Sequence, residues 1–291
     1  MTFKEALRRA AEKKVAIGHF NFADSATLRA ISGAACELKV PVLVGTSEGE
    51  REFLGACGAV AAVRHLREEH DIPIFINADH THSLTKVEEA AKAGYDEILF
   101  DGSKLSFEEN VKQTKRAVEI VKGINPNIVV EGEIGYIGSS SEIHKEVPEG
   151  AALTKESFTT AQEAAEFVKE TGIDVLAPAV GNMHGLLASM VHGDVKKRLD
   201  IERIKEIADA VRIPMTLHGG SGTADEDFVA AVEAGMAIVH VSTELRLAWR
   251  RGVEAGLKEN PDEIAPYKLL RSADEAIRKI VLQRLKLFNR M

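Results

Sequence analysis

Apolar, β-branched runs alternate along this chain with longer segments in which apolar residues recur at helical spacing, the pattern of repeated strand-then-helix units. The runs are "AIGHFN" (16–21), "PVLVGTS" (41–47), "PIFINADH" (73–80), "DEILFDG" (96–102), "IVVEGEIG" (128–135), "VLAPAVGNMHG" (175–185), "PMTLHGGSG" (214–222) and "AIVHVSTE" (237–244). Between them, "SLTKVEEAAKAG", "SFEENVKQTKRAVEIVKG", "TTAQEAAEFVKETG" and "DIERIKEIADAV" carry the helical period, several opening on a Ser, Thr or Asp that can cap the free N–H groups of a first turn. Eight such strands in 291 residues predict an α/β fold of the (β/α)8 TIM-barrel type, which typically takes roughly 250 residues. A doubly wound sheet is the alternative. No linker or low-complexity tract interrupts the series, so residues 1–291 read as a single domain with extra helices at both termini.

Two connections are longer than a turn requires. The segment from Tyr136 to about Thr160 follows the fifth run, and its "GSSSE" start suggests a lid. "LLASMVHGDVKKRLD" follows the sixth and is long enough to reach over a barrel mouth.

In such barrels the chemistry lies where the strands end. The run ends offer Asn21, Ser47, Asp79 with His80, Asp101, Glu133, His184, His218 with Ser221, and Thr243, whereas the run starts offer Pro, Ile, Val and Ala. His80, His184 and His218 would come from the third, sixth and seventh strands of a closed ring. Three imidazoles meeting with one position left open make a catalytic zinc site, with Glu133 as a fourth or alternative ligand. Glu131 and Glu133 share one face of their strand. If that face is the interior, Glu131 would orient a ligand histidine; otherwise it bonds to a helix. The Gly-rich "LHGGSG" (217–222) ahead of a helix, with Thr243 in the neighbouring sector, suits an anion such as phosphate.

Composition narrows the partners. Net charge is −8, and no basic run is present, which argues against nucleic acid and anionic membrane. No stretch approaches the roughly 20 apolar residues of a spanning helix, and the amphipathic N-terminus carries no signal core, so a cytoplasmic protein is expected. Cys36 and Cys57, without CxxC spacing, read as buried reduced thiols.

"NADH" (77–80), "FDGS" (100–103), "VEGEIG" (130–135), "GNMHG" (181–185) and "LHGGSG" (217–222) together resemble the class II, metal-dependent fructose-bisphosphate aldolase family, which includes tagatose-bisphosphate aldolases. The resemblance covers nearly the whole chain. It implies that His80, His184 and His218 hold Zn2+, with Glu133 available to an alternative metal position. Asp79 would be the acid/base at the substrate's C4 oxygen, with Asp101 assisting. Gly185, Gly219, Ser221 and Thr243 would bind phosphate, and backbone groups near Gly185 and Gly219 would hold a monovalent cation, Na+ or K+. Ser47 and Arg271 would meet substrate phosphate, the latter at its distal end. The implied reaction is reversible cleavage of a ketose 1,6-bisphosphate to dihydroxyacetone phosphate and glyceraldehyde 3-phosphate, in a homo-oligomer, dimer or tetramer.

Two positions depart from the family pattern. "GSSSE" leaves Glu142 as the nearest lid carboxylate for the catalytic role the resemblance implies, moving the proton at the nucleophilic carbon, and His240 stands where the family commonly has a substrate-contacting asparagine. An imidazole can ionise or reach for a metal where an amide does neither. Tagatose 1,6-bisphosphate, another phosphorylated sugar, or binding without turnover are therefore alternatives. A Schiff-base rival would need an interior lysine, and only Lys104 comes near a strand end. Among the other histidines, His65 and His70 are expected to be solvated, His82 at the rim, His144 and His192 on loop surfaces, and His19 a satisfied core residue.

Overall fold

The computed structural model describes residues 1–291 apart from 139–140, 152–153 and 192–194, which include His192 and part of the lid sequence. Among the described residues ten strands form: β1 (Ile17–Asn21), β2 (Val42–Thr46), β3 (Ile74–Thr81), β4 (Glu97–Phe100), β5 (Val129–Ile134), β6 (Ile143–His144), β7 (Val175–Pro178), β8 (Leu186–Leu187), β9 (Met215–Leu217) and β10 (Met236–His240). Eight of them close a parallel barrel in chain order, β10 returning to β1, and β6 with β8 make a separate two-stranded pair. The (β/α)8 expectation is met.

The helices are α1 (Phe3–Lys13), α2 (Ser25–Leu38), α3 (Glu48–Leu54), α4 (Ala56–His70), α5 (Leu84–Ala93), α6 (Phe107–Ile124), α7 (Ala161–Thr171), α8 (Ile201–Val211), α9 (Asp225–Ala234), α10 (Thr243–Glu259), α11 (Pro266–Leu269) and α12 (Arg271–Phe288). Ser83, Ser106, Thr160 and Asp200 accept N–H bonds at the starts of α5, α6, α7 and α8, as their positions in the sequence suggested. No helix of the described residues is long and apolar enough to cross a membrane.

Period-2 alternation sorts the strand residues between two cores. Ile74, Ile76 and Ala78 face the outer helices, together with Val42, Val44, Ile98 and Val130. Phe75, Ile17, Leu43, Val129, Val175 and Ile238 instead pack inside the barrel against Phe3, Ala6, Leu7 and Ala10 of α1. Helix α1 therefore plugs the end of the barrel where the strands begin, with the Phe3 and Phe75 rings 5.0 Å apart. Two residues further along β1, β3 and β5 the same inward face turns polar: His19, Asn77 and Glu131 are fully buried. Two further on it carries Asn21, Asp79 and Glu133. Strands β1, β3 and β5 are thus apolar at the sealed end and polar at the open one, whereas β4 already opens on the buried Glu97, which accepts from Asn77.

Two smaller expectations need correction. Cys36 is half-buried and Cys57 exposed, so the thiols are not both interior. His144 is not a surface residue: its ring, 14% exposed, lies against Gly185.

Candidate active site

A regular strand would send Asp79 and His80 to opposite faces. At the end of β3 the pairing register with β4 shifts between Ala78 and Thr81, and His80 takes a left-handed backbone with φ of 42°. Such a conformation costs on the order of 1–3 kcal/mol in a non-glycine residue. The bulge lets both side chains address the cavity. Buried Arg51 braces it, donating to the carbonyls of Thr46 and Asp79 and to Thr81 Oγ1.

Around the bulge, side-chain atoms of His80, Glu133, His184 and His218 all come within 4.8 Å of one another. His184 lies in the turn beyond β7, and His218 one residue past β9, so convergence depends on loop geometry as well as on strands. Asp101 Oδ2 meets His80 Nδ1 at 2.8 Å, which leaves Nε2 for another partner. Glu131 Oε1 meets His218 Nε2 at 3.1 Å, the histidine-orienting contact considered for it, and leaves His218 Nδ1 without a hydrogen bond. His184 Nε2 and both Glu133 oxygens are also buried without a hydrogen bond, Glu133 Oε2 lying 3.5 Å from His80 Nδ1. Four acceptors or ligand atoms without a hydrogen bond around one point, with carboxylates fixing two rings from behind, fit a divalent transition metal of the zinc type.

Electrostatics follow from this crowding. Burial alone would lower the His80 pKa, but Asp79, Asp101 and Glu133 overcome it and raise it to about 10. Burial would raise the Asp79 carboxyl, yet the neighbouring His80, His19 and His218 and the Asn21 hydrogen bond hold it well below the usual range. Glu133 is pushed up, first by burial and then by Asp101. Without metal, these carboxylates hold His80 in its protonated form.

Asn21 donates to Asp79 Oδ2 at 2.8 Å and to Glu50 Oε2 at 3.1 Å. Asp79 Oδ1 is left unbonded, 3.6 Å from His240 Nδ1. His240 lies between two rings, His19 at 3.4 Å between centroids and 7° in tilt, and His218 at 3.9 Å. Burial and the surrounding imidazoles push the His240 pKa well down, so this ring stays neutral. His19 is not the satisfied core histidine expected: neither nitrogen is hydrogen-bonded, and burial pushes it down to about 3. His19, His240 and Asp79 also bring ligand atoms together. The two stacked rings point their in-plane lone pairs along parallel planes, however, and no ion at about 2.0–2.1 Å from both can lie in both planes.

The opposite wall is built from turns. Ser221 Oγ accepts the Glu244 N–H at 3.2 Å and Gly222 N–H donates to Glu244 Oε1 at 2.8 Å, which brings the Gly-rich turn to the N-terminus of α10. Thr243 opens that helix, and the buried Ser242 hydroxyl beside it has no partner. Gly219 turns with φ of 60° and packs so tightly on Met183 that a Cβ would lie 2.5 Å from its carbonyl oxygen. Gly185 follows His184. Helix start, hydroxyls and Gly-rich backbone together offer donors of the kind that suit an anion.

Three residues named from the sequence lie outside this cluster. Ser47 caps α3, its N–H on Glu50 Oε2 at 2.8 Å, at the rim behind Asn21. Glu142 is exposed, but its carbonyl accepts Leu186 N–H at 2.9 Å, so β6 and β8 stitch the two long connections together next to the histidines. Arg271 stands exposed at the start of α12, bordering an outer groove with Ser25, Arg29 and Tyr267. At the rim, Arg246 donates to Glu50 Oε1 at 2.7 Å and to Ser141 O at 3.3 Å. Arg246, Glu50, Arg51 and His19 were not singled out as site residues in the sequence; only the inward register of Asn21 pointed toward His19.

Barrel and site bring three histidines and Glu133, a group able to hold a metal ion, to the open end of the strands beside the interior carboxylate of Asp79. All 291 residues match the family described as fructose-bisphosphate aldolase class-II, and the chain belongs to that family. It is 33% identical over 99% of its length to the probable fructose-bisphosphate aldolase of Bacillus subtilis, covering 97% of that protein. It is likewise 33% identical over 99% of its length to the fructose-bisphosphate aldolase of Geobacillus stearothermophilus, covering 96% of it. The crystal structure of the YdjI aldolase from Escherichia coli superposes with a TM-score of 0.80 at 29% identity, over 98% of this chain and 96% of that one.

Proposed function

We propose that the protein is a zinc-dependent aldolase that reversibly cleaves a ketose 1,6-bisphosphate, by default fructose 1,6-bisphosphate, to dihydroxyacetone phosphate and glyceraldehyde 3-phosphate. The observation that carries this reading is the convergence of His80, His184 and His218 with Glu133, with the unbonded Oδ1 of Asp79 3.8 Å from His80 Nε2. His80, His184 and His218 would hold the metal, with Glu133 alongside, and when bound it would supply Lewis acidity for the ketone of dihydroxyacetone phosphate.

The chain's own residues then divide the work. Asp79 Oδ1 takes the C4 hydroxyl proton in cleavage and returns it in condensation, while Asn21 on Oδ2 fixes which oxygen is presented. The turn at Gly219 to Gly222 and the start of α10 bind the phosphate of the dihydroxyacetone half. Arg246 meets the distal phosphate at the rim, in the role the resemblance gave to Arg271. Neutral His240 offers one ring nitrogen to the substrate beside Asp79, which makes it the position that sets preference between fructose and tagatose bisphosphates.

Purified protein is tested on both sugars in parallel, as prepared, after chelation and after zinc is restored. Cleavage lost with the metal and regained with zinc supports the reading, and the rate ratio names the substrate. No cleavage of either by metal-loaded protein overturns it in favour of another phosphorylated sugar or of binding without turnover.

A further inference from the structure

Lys197 is a buried lysine, 5% exposed, to which the catalytic reading assigns no task. Its backbone is clamped to the Gly-rich turn, Lys197 N–H on Gly222 O at 2.8 Å and Ala224 N–H on Lys197 O at 3.2 Å. The side chain turns inward and its Nζ donates to three carbonyls: Met183 at 2.5 Å, Gly185 at 2.7 Å and Gly219 at 3.1 Å. Two of these flank His184 and the third follows His218. An ammonium has three donors and no acceptor, so three converging carbonyls match its stoichiometry, whereas a neutral amine would set a lone pair against one of them.

Among the described residues no carboxylate lies within ion-pair distance of Nζ. Burial pulls the Lys197 pKa down to about 7, against the more distant Glu244, and Glu244 is itself held by Arg284 Nε and Nη2 at 3.0 Å each and by Gly222 N–H. A buried cation with acceptors but no counter-ion is completed by an anion arriving from outside. Immediately above it are the turns of Gly185 and Gly219, which the aldolase reading makes the phosphate cradle.

We propose that the Lys197 ammonium is a built-in cation of the phosphate pocket, occupying a carbonyl cage that would otherwise suit a free monovalent ion. Phosphate binding then needs neither Na+ nor K+. The inference rests on that reading of the cradle, and it replaces the free Na+ or K+ expected from the resemblance.

The test is calorimetric titration of metal-loaded protein with glycerol 3-phosphate, in tetramethylammonium buffer and again with potassium or sodium chloride at matched ionic strength. Wild-type affinity should be the same in all three. Lys197→Ala, which opens the cage, should bind roughly tenfold more weakly or worse in tetramethylammonium and recover with potassium. Lys197→Met, which fills the cage without charge, should be equally weak and should not recover. A wild-type affinity that climbs severalfold with potassium, no wild-type binding, or variants that bind like wild type without alkali ions would each overturn the inference. The wild-type comparison decides even if the variants do not fold. Binding that depends on Lys197 in a protein that cleaves neither bisphosphate would sink the aldolase reading and leave the cage standing.

Discussion

The imidazoles of His19 and His240 lie face to face, 3.4 Å between centroids and 7° from parallel, in a space that exists because residue 45 has no side chain. A Cβ on Gly45 would sit 2.2 Å from His19 Cε1 and Nε2. Gly45→Ala should therefore cost about 1–3 kcal/mol by overpacking. His19→Ala in the same chain should return most of it. Urea unfolding of the two single variants and the double variant measures this, and strictly additive losses would show that the two positions do not share the space.

Asp79→Asn keeps the size of the side chain and its link to Asn21 but cannot accept a proton. Its kcat should fall about 10²- to 10⁴-fold with KM changed little. A comparable loss in KM alone would mean that Asp79 binds substrate and that another group moves the proton.

Metal affinity depends on the groups behind the ligands. Asp101→Asn and Glu131→Gln each remove a carboxylate that fixes a histidine ring, and each should weaken zinc binding about 10- to 100-fold. Competition with a chromophoric chelator reads this directly. Unchanged affinity in both would show that the rings are held by packing alone.

In metal-free protein the His80 pKa is raised from 6.5 to about 10. Between those values the folded chain keeps a proton that the unfolded chain has released, so stability must fall as pH rises through the window. The contribution is complete below pH 6.5 and gone above about pH 10. Thermal melts of metal-free protein should show Tm dropping over that range more steeply than melts of zinc-loaded protein. A metal-free Tm that stays level or climbs would contradict the assignment of the charge to His80.

Arg246 is the rim cation nearest Asn21 through Glu50. Arg246→Ala should raise KM for a bisphosphate about tenfold, the loss of one charge-assisted contact, while Arg271→Ala should change it far less. The reverse order would return the distal phosphate to Arg271.

Much of the fold was legible because burial leaves a simple mark. The runs at 41–47 and 128–135 contain the whole of β2 and β5, since a strand covered on both faces reads as a near-continuous apolar, β-branched run. The approach of His80, His184 and His218 followed once the ring was assumed. What the pattern did not carry is backbone detail and contact across distant loops. "NADH" gives no sign that His80 adopts positive φ, although that bulge is what turns two adjacent side chains into one cavity. Lys197 looks like one charge in "VKKRLD"; only the folded connection brings its Nζ to carbonyls 12 to 22 residues away. His19 read as core because a buried histidine normally finds a partner, and here a stacked ring replaces hydrogen bonds.

Helix α1 closes the end of the barrel where the strands begin, and this shapes traffic as well as stability. A vessel with one doorway admits substrate and discharges both fragments by the same route. For the cleavage proposed, the fragment nearer the Arg246 rim stands between its sibling and solvent, so departure is sequential: the aldehyde first, and the half seated against the histidines and the Gly-rich turn after it.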